Sequence, residues 1–286
     1  MKIAFLGTGL MGEPMAQCLL AAGHKLNVFN RTTLKTEKLC KNGAVLVFKP
    51  ADAIKDSEIV ITMLSDYSAV CDILCTKKKI DFKGKTLIQM STISPDESLL
   101  LKERIQSLGG EYIEAPVLSS IPQAVEGSLI IIVGATEEQF QKNKIVLEAM
   151  GNKIFLVGEV GKALAAKLAL NQLIATMISS FAMTLGYIRK KEIDPEKFME
   201  ILRVSALYAP TYDKKLPNML NDKYDTTNFS LKHLLKDVNL IVNQFLTSGV
   251  NTTILESVRK ILEDGVQQEL AEKDYTVLYR IINPEK

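Results

Sequence analysis

Histidine is nearly absent from this sequence: His24 and His233 are the two in 286 residues. The most common acid–base side chain is therefore poorly supplied. Cysteine is sparse as well. Cys18, Cys40, Cys71 and Cys75 have neither zinc-ligand spacing nor the density of a disulfide framework. Cys71 and Cys75 lie one helical turn apart and read as half-buried side chains. Excess charge is missing too, since the net charge is +2. The basic cluster Lys77-Lys78-Lys79 reads as a solvated loop, because nucleic-acid binders concentrate Lys and Arg far more heavily. There is no low-complexity segment, and a strand-like run begins at the N-terminus. We expect no signal peptide, no membrane or nucleic-acid partner, and a reducing, cytoplasmic setting. At 47% hydrophobic residues, the chain is long enough to bury two cores.

The stretch that organises the rest is Met1 to Gly12. Residues 3–6 form an apolar run suited to a strand buried on both faces, and it breaks at Gly7. Gly7, Gly9 and Gly12 spell G-x-G-x-x-G. Gly7 permits a tight turn, Gly9 lets a pyrophosphate approach the backbone, and Gly12 lets the next helix pack on the strand. Leu10 and Met11 open that helix, whose N-terminus offers free N–H groups and a positive dipole end. Many glycine-rich turns share the spacing. Here a strand precedes it, a helical stripe follows, and a second strand-like run covers 25–29, which together define a dinucleotide site.

The turn after the second strand chooses between cofactors. An NAD-dependent chain carries Asp or Glu there, accepting hydrogen bonds from the ribose hydroxyls. This one has Asn30-Arg31-Thr32-Thr33 and no carboxylate. A guanidinium is a planar, permanently charged fork suited to a 2′-phosphate, and Asn30 and Thr32 can complete the pocket. Arginine at a helix start is also common on plain surfaces. With the glycine loop in place, the pattern favours NADP(H) over NAD(H).

Strands and helices then alternate. Residues 58–63, 86–90, 112–117, 128–133 and 153–157 read as strands, and 66–74, 97–108 and 139–150 as helices, with Asp66 and Ser94-Pro95 as start signals. The rhythm predicts an α/β Rossmann-type, doubly wound and mostly parallel sheet over residues 1–160. Ligands in such sheets sit beyond the carboxyl ends of strands, which makes Met63, Leu64, Ser91 and Thr92 candidates to line the cleft. From Lys162 to Arg189 there is neither proline nor a turn cluster, only apolar and small residues at helical spacing. At about 1.5 Å per residue this helix runs on the order of 40 Å, too long for one small domain. Lys167, Asn171 and Gln172 interrupt it, leaving fewer than the ~20 clean apolar residues of a membrane span. We take 161–190 as an interdomain helix, buried partly by a partner chain, so that a homodimer or homotetramer is expected. Residues 191–286 read as an all-α C-terminal domain, with 207–228, which holds Pro210 and Pro217, as its long irregular stretch.

Lys167 and Asn171 are four apart and share one helix face. A buried lysine either lowers its pKa or finds an anionic partner, and both outcomes suit an acid that protonates a carbonyl oxygen during hydride transfer. An isolated lysine of this kind would read as snorkelling. His233 reads as a helix-surface residue, and Lys236, followed by Asp237, reads equally as half of a surface ion pair.

These motifs together resemble the β-hydroxyacid dehydrogenase family, nearly end to end. The resemblance rests on Gly7 to Gly12 with Met15-Ala16, on Met90-Ser91-Thr92-Ile93-Ser94-Pro95, and on Glu114-Ala115-Pro116-Val117 with Glu126-Gly127-Ser128-Leu129. It continues through Gly158 and Gly161 to Lys167 and Asn171, and ends at Lys236-Asp237. It implies that Lys167 is the general acid/base, that Asn171 holds it and the substrate, and that Thr92 touches the cofactor near the nicotinamide. Lys236 would close the cleft from a C-terminal domain like that of 6-phosphogluconate dehydrogenase. Asn30-Arg31-Thr32 looks like the NADP-using branch, which includes glyoxylate/succinic semialdehyde reductases.

The chain departs from the family at Leu118-Ser119-Ser120, where Ser-Gly-Gly or Ser-Gly-Ser is usual and helps grip a substrate carboxylate. Two readings stay open: Ser119 and Ser120 replace the lost donors, or the substrate is a different or larger acid. The expected activity is NADPH-dependent reduction of a small oxo acid or semialdehyde, with Ser91, Ser119, Ser120, Asn171 and Lys236 orienting the acid. Three alternatives remain. One is a 3-hydroxyisobutyrate-type dehydrogenase working oxidatively, another an imine reductase, which Lys167 opposes because Asp or Tyr stands there. The third is a non-catalytic NADP-binding scaffold, which would have no need of a buried lysine. No metal is expected in any of them.

Overall fold

The computed structural model describes residues 1–74 and 80–284, so Cys75 and the cluster Lys77-Lys78-Lys79 lie outside the described residues. The chain divides into two compact units, Met1–Leu168 and Ala169–Lys286.

The first unit alternates strands and helices. In chain order these are β1 (Lys2–Leu6), α1 (Gly12–Ala21), β2 (Lys25–Phe29), a 3-10 turn (Thr33–Thr36), α2 (Glu37–Lys41), β3 (Val45–Leu46), α3 (Pro50–Lys55), β4 (Ile59–Thr62) and α4 (Tyr67–Leu74). Next come β5 (Thr86–Gln89), α5 (Pro95–Ser107), β6 (Glu111–Glu114), β7 (Val117–Leu118), α6 (Ile121–Glu126), β8 (Leu129–Gly134), α7 (Glu137–Glu148) and β9 (Gly151–Gly158). The strands form one sheet in the order β3-β2-β1-β4-β5-β6-β8-β7, with β9 pairing β8. Pairing is parallel from β3 through β6, and β8 runs antiparallel to β6 and β7.

Both faces of the sheet are covered, as the apolar run of β1 requires. Ile3 and Phe5 join Ile61, Ile88 and Ile113 in one buried cluster. Ala4 and Leu6 alternate into the other, with Val60, Leu87 and Tyr112. The start signals act as read. Ser94 and Glu97 form a reciprocal capping box on α5, and Asp66 Oδ1 accepts the Ala69 N–H at 2.8 Å. One expected strand, 112–117, is two elements. Pro116 cannot donate to a ladder, and the chain leaves its parallel partner β5 there for the antiparallel β8.

α8 (Lys162–Lys190) is a single helix of 29 residues. Among the described residues it is the one helix long and apolar enough to cross a membrane by length and composition, and 44% of its most apolar window is buried. The second unit continues from it with α9 (Pro195–Arg203), α10 (Pro210–Leu220), α11 (Leu231–Thr247), α12 (Thr253–Gln267), a 3-10 turn (Tyr275–Val277) and α13 (Leu278–Ile282). α10 corrects the expectation of an irregular stretch over 207–228. Pro210 occupies the first helical turn, where no N–H is needed, and Pro217 sits in the last turns of a helix anchored by buried Leu216 and Met219.

Candidate active site

In the first unit the glycine loop runs from the end of β1 into α1. Gly7 has φ +102°, and a Cβ there would collide with the Met63 carbonyl. A Cβ at Gly12 would collide with the Gly7 carbonyl, so loop and helix close on each other. Gly9 differs: among the described residues, apart from its chain neighbours, no atom lies within 4 Å of the place its Cβ would take. α1 has no side-chain cap; in its first turn the Glu13 N–H turns back to the Gly9 carbonyl at 3.0 Å, and Pro14 has no N–H to offer. The Thr8 hydroxyl is buried with no hydrogen-bond partner among the described residues. Open space over Gly9, a helix start that no side chain covers and an orphaned hydroxyl fit a dinucleotide pyrophosphate.

The loop is tied to the turn after β2. Asn30 Oδ1 accepts the Thr8 N–H at 3.1 Å, and Asn30 Nδ2 donates to the Thr32 carbonyl at 2.9 Å. Arg31 and Thr32 are exposed beside it. Arg31 makes no ion pair among the described residues.

Beyond the carboxyl ends of β4 and β5, Met63 and Leu64 face Ser91 and Thr92 in neighbouring loops. The Ser91 hydroxyl is buried and accepts the Leu64 N–H at 2.8 Å, fixing one loop to the other. Ser91 is also pinned by Gln89, whose side chain bonds both its N–H and its carbonyl. Thr92 is half-buried. Ser119 is exposed, and the Ser120 hydroxyl donates to Gln123 Oε1 at 2.9 Å within the capping box of α6.

Lys167 is 7% exposed on α8, and Asn171 follows one turn on at 3%. Leu164 and Leu168 flank the lysine and are buried, which is how this helix carries a cation away from water. Within the second unit, Asn171 Nδ2 donates to Asp237 Oδ2 at 2.6 Å, and Lys236 Nζ lies 2.7 Å from Asp237 Oδ1. Lys236 is thus one half of an ion pair, but not a surface one, because the Asp237 side chain is 3% exposed. Asp237 escaped notice in the sequence beyond its place after Lys236. Its partner Asn171 is 66 residues away, and no periodicity reports that contact.

His233 is half-buried rather than a plain surface residue. It stacks on Phe229, and its Nδ1 lies 2.7 Å from Ser230 Oγ. Burial holds its pKa below the ordinary value, and the charges of Lys236 and Lys232 add to that.

A family model of the NAD-binding domain of 6-phosphogluconate dehydrogenase matches residues 2–158. A second, described as the NAD-binding region of NADP-dependent 3-hydroxyisobutyrate dehydrogenase, matches residues 161–282. The 2-hydroxy-3-oxopropionate reductase of Escherichia coli strain K12 is 36% identical over 289 residues, covering 99% of this chain and 97% of the relative. A chloroplastic glyoxylate/succinic semialdehyde reductase of Arabidopsis thaliana is 31% identical over 288 residues, covering 100% of this chain and 80% of the relative. The structure of 3-hydroxyisobutyrate dehydrogenase from Mycobacterium tuberculosis, solved with L-serine, shares the fold, with a TM-score of 0.85 at 23% identity over 98% of both chains. Fold, glycine loop and relatives together define a nicotinamide-dependent oxidoreductase acting on CH–OH groups. The chain belongs to the β-hydroxyacid dehydrogenase family.

Proposed function

We infer that this enzyme reduces a small oxo acid or semialdehyde, of the glyoxylate or succinic semialdehyde kind, to the hydroxy acid with NADPH. The observation that carries the reading is a lysine at 7% exposure on α8, one turn before a buried asparagine, in a chain with a dinucleotide loop.

A bound nicotinamide dinucleotide would supply a hydride for the carbonyl carbon. Gly7, Gly9, Leu10, Met11 and Gly12 would hold its pyrophosphate at the start of α1, with Met63, Leu64 and Thr92 beside it. Arg31, exposed and free of ion pairs among the described residues, grips the 2′-phosphate, with Asn30 and Thr32 beside it. Lys167 holds a proton at Nζ and releases it to the carbonyl oxygen as the alkoxide forms, and solvent then reprotonates the amine. Asn171 and Lys236 orient the acid, and Asp237 fixes both. Ser119 is the exposed hydroxyl offered to the substrate carboxylate, while the Ser120 hydroxyl is engaged by Gln123.

α8 leaves Leu173, Met183 and Tyr187 at 57–60% exposure along one face. We read this stripe as the contact with a second copy of a soluble protein. Sedimentation of Met183→Glu as a monomer beside a dimeric wild type is the expected result, and unchanged sedimentation would refute the assignment.

The deciding experiment follows NADPH oxidation against a panel of small oxo acids and aldehydes, for wild type and Lys167→Ala, with NADH alongside. Turnover of an oxo acid that drops by about 10²–10⁴-fold in the variant while NADPH still binds is expected. Equal turnover in both proteins would remove Lys167 from the chemistry.

A further inference from the structure

Within the first unit, the carboxyl group of Glu114 is buried and held by neutral hydrogen-bond donors. Glu114, the last residue of β6, has no exposed surface. Its Oε1 accepts three backbone N–H groups at the start of α8, from Gly161 at 2.8 Å, Ala163 at 2.9 Å and Leu164 at 3.2 Å. Its Oε2 accepts the Ser98 hydroxyl at 2.6 Å, and Ser98 Oγ lies 2.7 Å from the Tyr112 hydroxyl. Gln89, the residue that pins Ser91, is a further hydrogen-bond partner of that phenol. Gln89, Ser98, Tyr112 and Glu114 are all at most 1% exposed.

The carboxyl is confined from the other side as well. Glu114 pairs with Gly134 across the β6–β8 ladder, and a Cβ at Gly134 would lie 2.5 Å from Glu114 Oε1. Only glycine leaves room for the acid to stand where it meets α8.

Gly161 leads into α8, and the Ala163 and Leu164 N–H groups belong to its first turn, beneath Lys167, which follows them by four and three residues. A free carboxyl-to-amide cap stabilises a helix end wherever it occurs. This one joins the helix bearing Lys167 to the loop after β5 through a buried, fully bonded chain. We propose that Glu114 is a positioning residue for Lys167: by gripping the first turn of α8 it sets the place of the Lys167 ammonium relative to the loops after β4 and β5. The proposal rests on the reading of Lys167 as the proton donor.

Turnover of the best oxo acid with NADPH tests it in Glu114→Gln, Lys167→Ala and the double variant. Ser98→Ala and Gly134→Ala serve as independent ways to disturb the same carboxyl. Misplacing a reacting group by about 1 Å costs up to about 100-fold, so Glu114→Gln is expected to lower kcat by about 10- to 100-fold. The substrate KM and the NADPH Kd should stay within about twofold, because the cofactor loop is untouched. In the Lys167→Ala background the same change should cost less than about twofold, since a residue acting through Lys167 has nothing left to position. Should Glu114→Gln fail to fold, Ser98→Ala and Gly134→Ala decide, each expected to lower kcat by about 3- to 10-fold with KM held. A wild-type kcat in the folded variants, or a loss that multiplies fully with that of Lys167→Ala, would overturn the proposal and leave the role of Lys167 standing. Wild-type turnover in Lys167→Ala alone would instead take down both.

Discussion

Asn171 donates its side-chain N–H to the buried carboxylate of Asp237 at 2.6 Å, and the other oxygen of that carboxylate holds Lys236. One acid therefore sets the orientation of two side chains that the sequence pointed to separately. Asp237→Asn keeps the shape but turns one acceptor into a donor. It is expected to destabilise the protein by about 1–3 kcal/mol, the cost of a buried polar group left mispaired, and to raise the substrate KM. Thermal unfolding and steady-state kinetics measure both. An unchanged melting temperature and KM would show that the bonds contribute nothing.

Two glycines three residues apart should answer differently to alanine. Gly12→Ala drives a methyl into the Gly7 carbonyl and should destabilise the fold by about 1–3 kcal/mol. Gly9→Ala meets no protein atom, so its melting temperature should match wild type, while NADPH binding weakens by about tenfold or more. Calorimetry paired with a fluorescence titration of NADPH separates the two effects.

Arg31→Ala tests the choice of cofactor. A charge-assisted hydrogen bond contributes about 1.5–3 kcal/mol, so the KM for NADPH should rise by about 10- to 100-fold while that for NADH stays unchanged. Parallel losses for both cofactors would mean that Arg31 does not meet the 2′-phosphate.

His233 gives a pH dependence with a definite sign. Its folded pKa lies below the ordinary 6.5, with burial as the main cause. Between the folded value and 6.5 the unfolded chain binds more protons, so stability rises with pH across that window. As the pH falls below 6.5, wild type should therefore lose stability relative to His233→Gln. Denaturant midpoints of the two proteins between pH 5 and pH 8 read this directly (a range set by the ordinary histidine pKa), and parallel curves would contradict it.

β1, β4, β5 and β8 were legible as apolar runs because they are buried on both faces, and α8 because nothing in it breaks a helix. Short elements escaped for want of signal: β3 has two residues, and α2, α3 and α6 have five or six each. α10 was not legible because Pro210 and Pro217 read as punctuation of an irregular stretch, although a proline in the first turn or near the end of an anchored helix disturbs little. The glycine loop, Arg31, Lys167 and Asn171 stood out as residue types in local context. Asp237 and Glu114 did not, because their partners come from distant parts of the chain: Asn171 for one, and Ser98 with the start of α8 for the other.

Arg31 and Thr32 lie at the surface, outside the buried clusters of the sheet. The residues assigned to cofactor choice are thus separable from those that keep the chain folded. On that assignment, a lineage or an engineer would exchange the nicotinamide currency of this enzyme by editing one exposed turn, without any repacking of the interior to compensate.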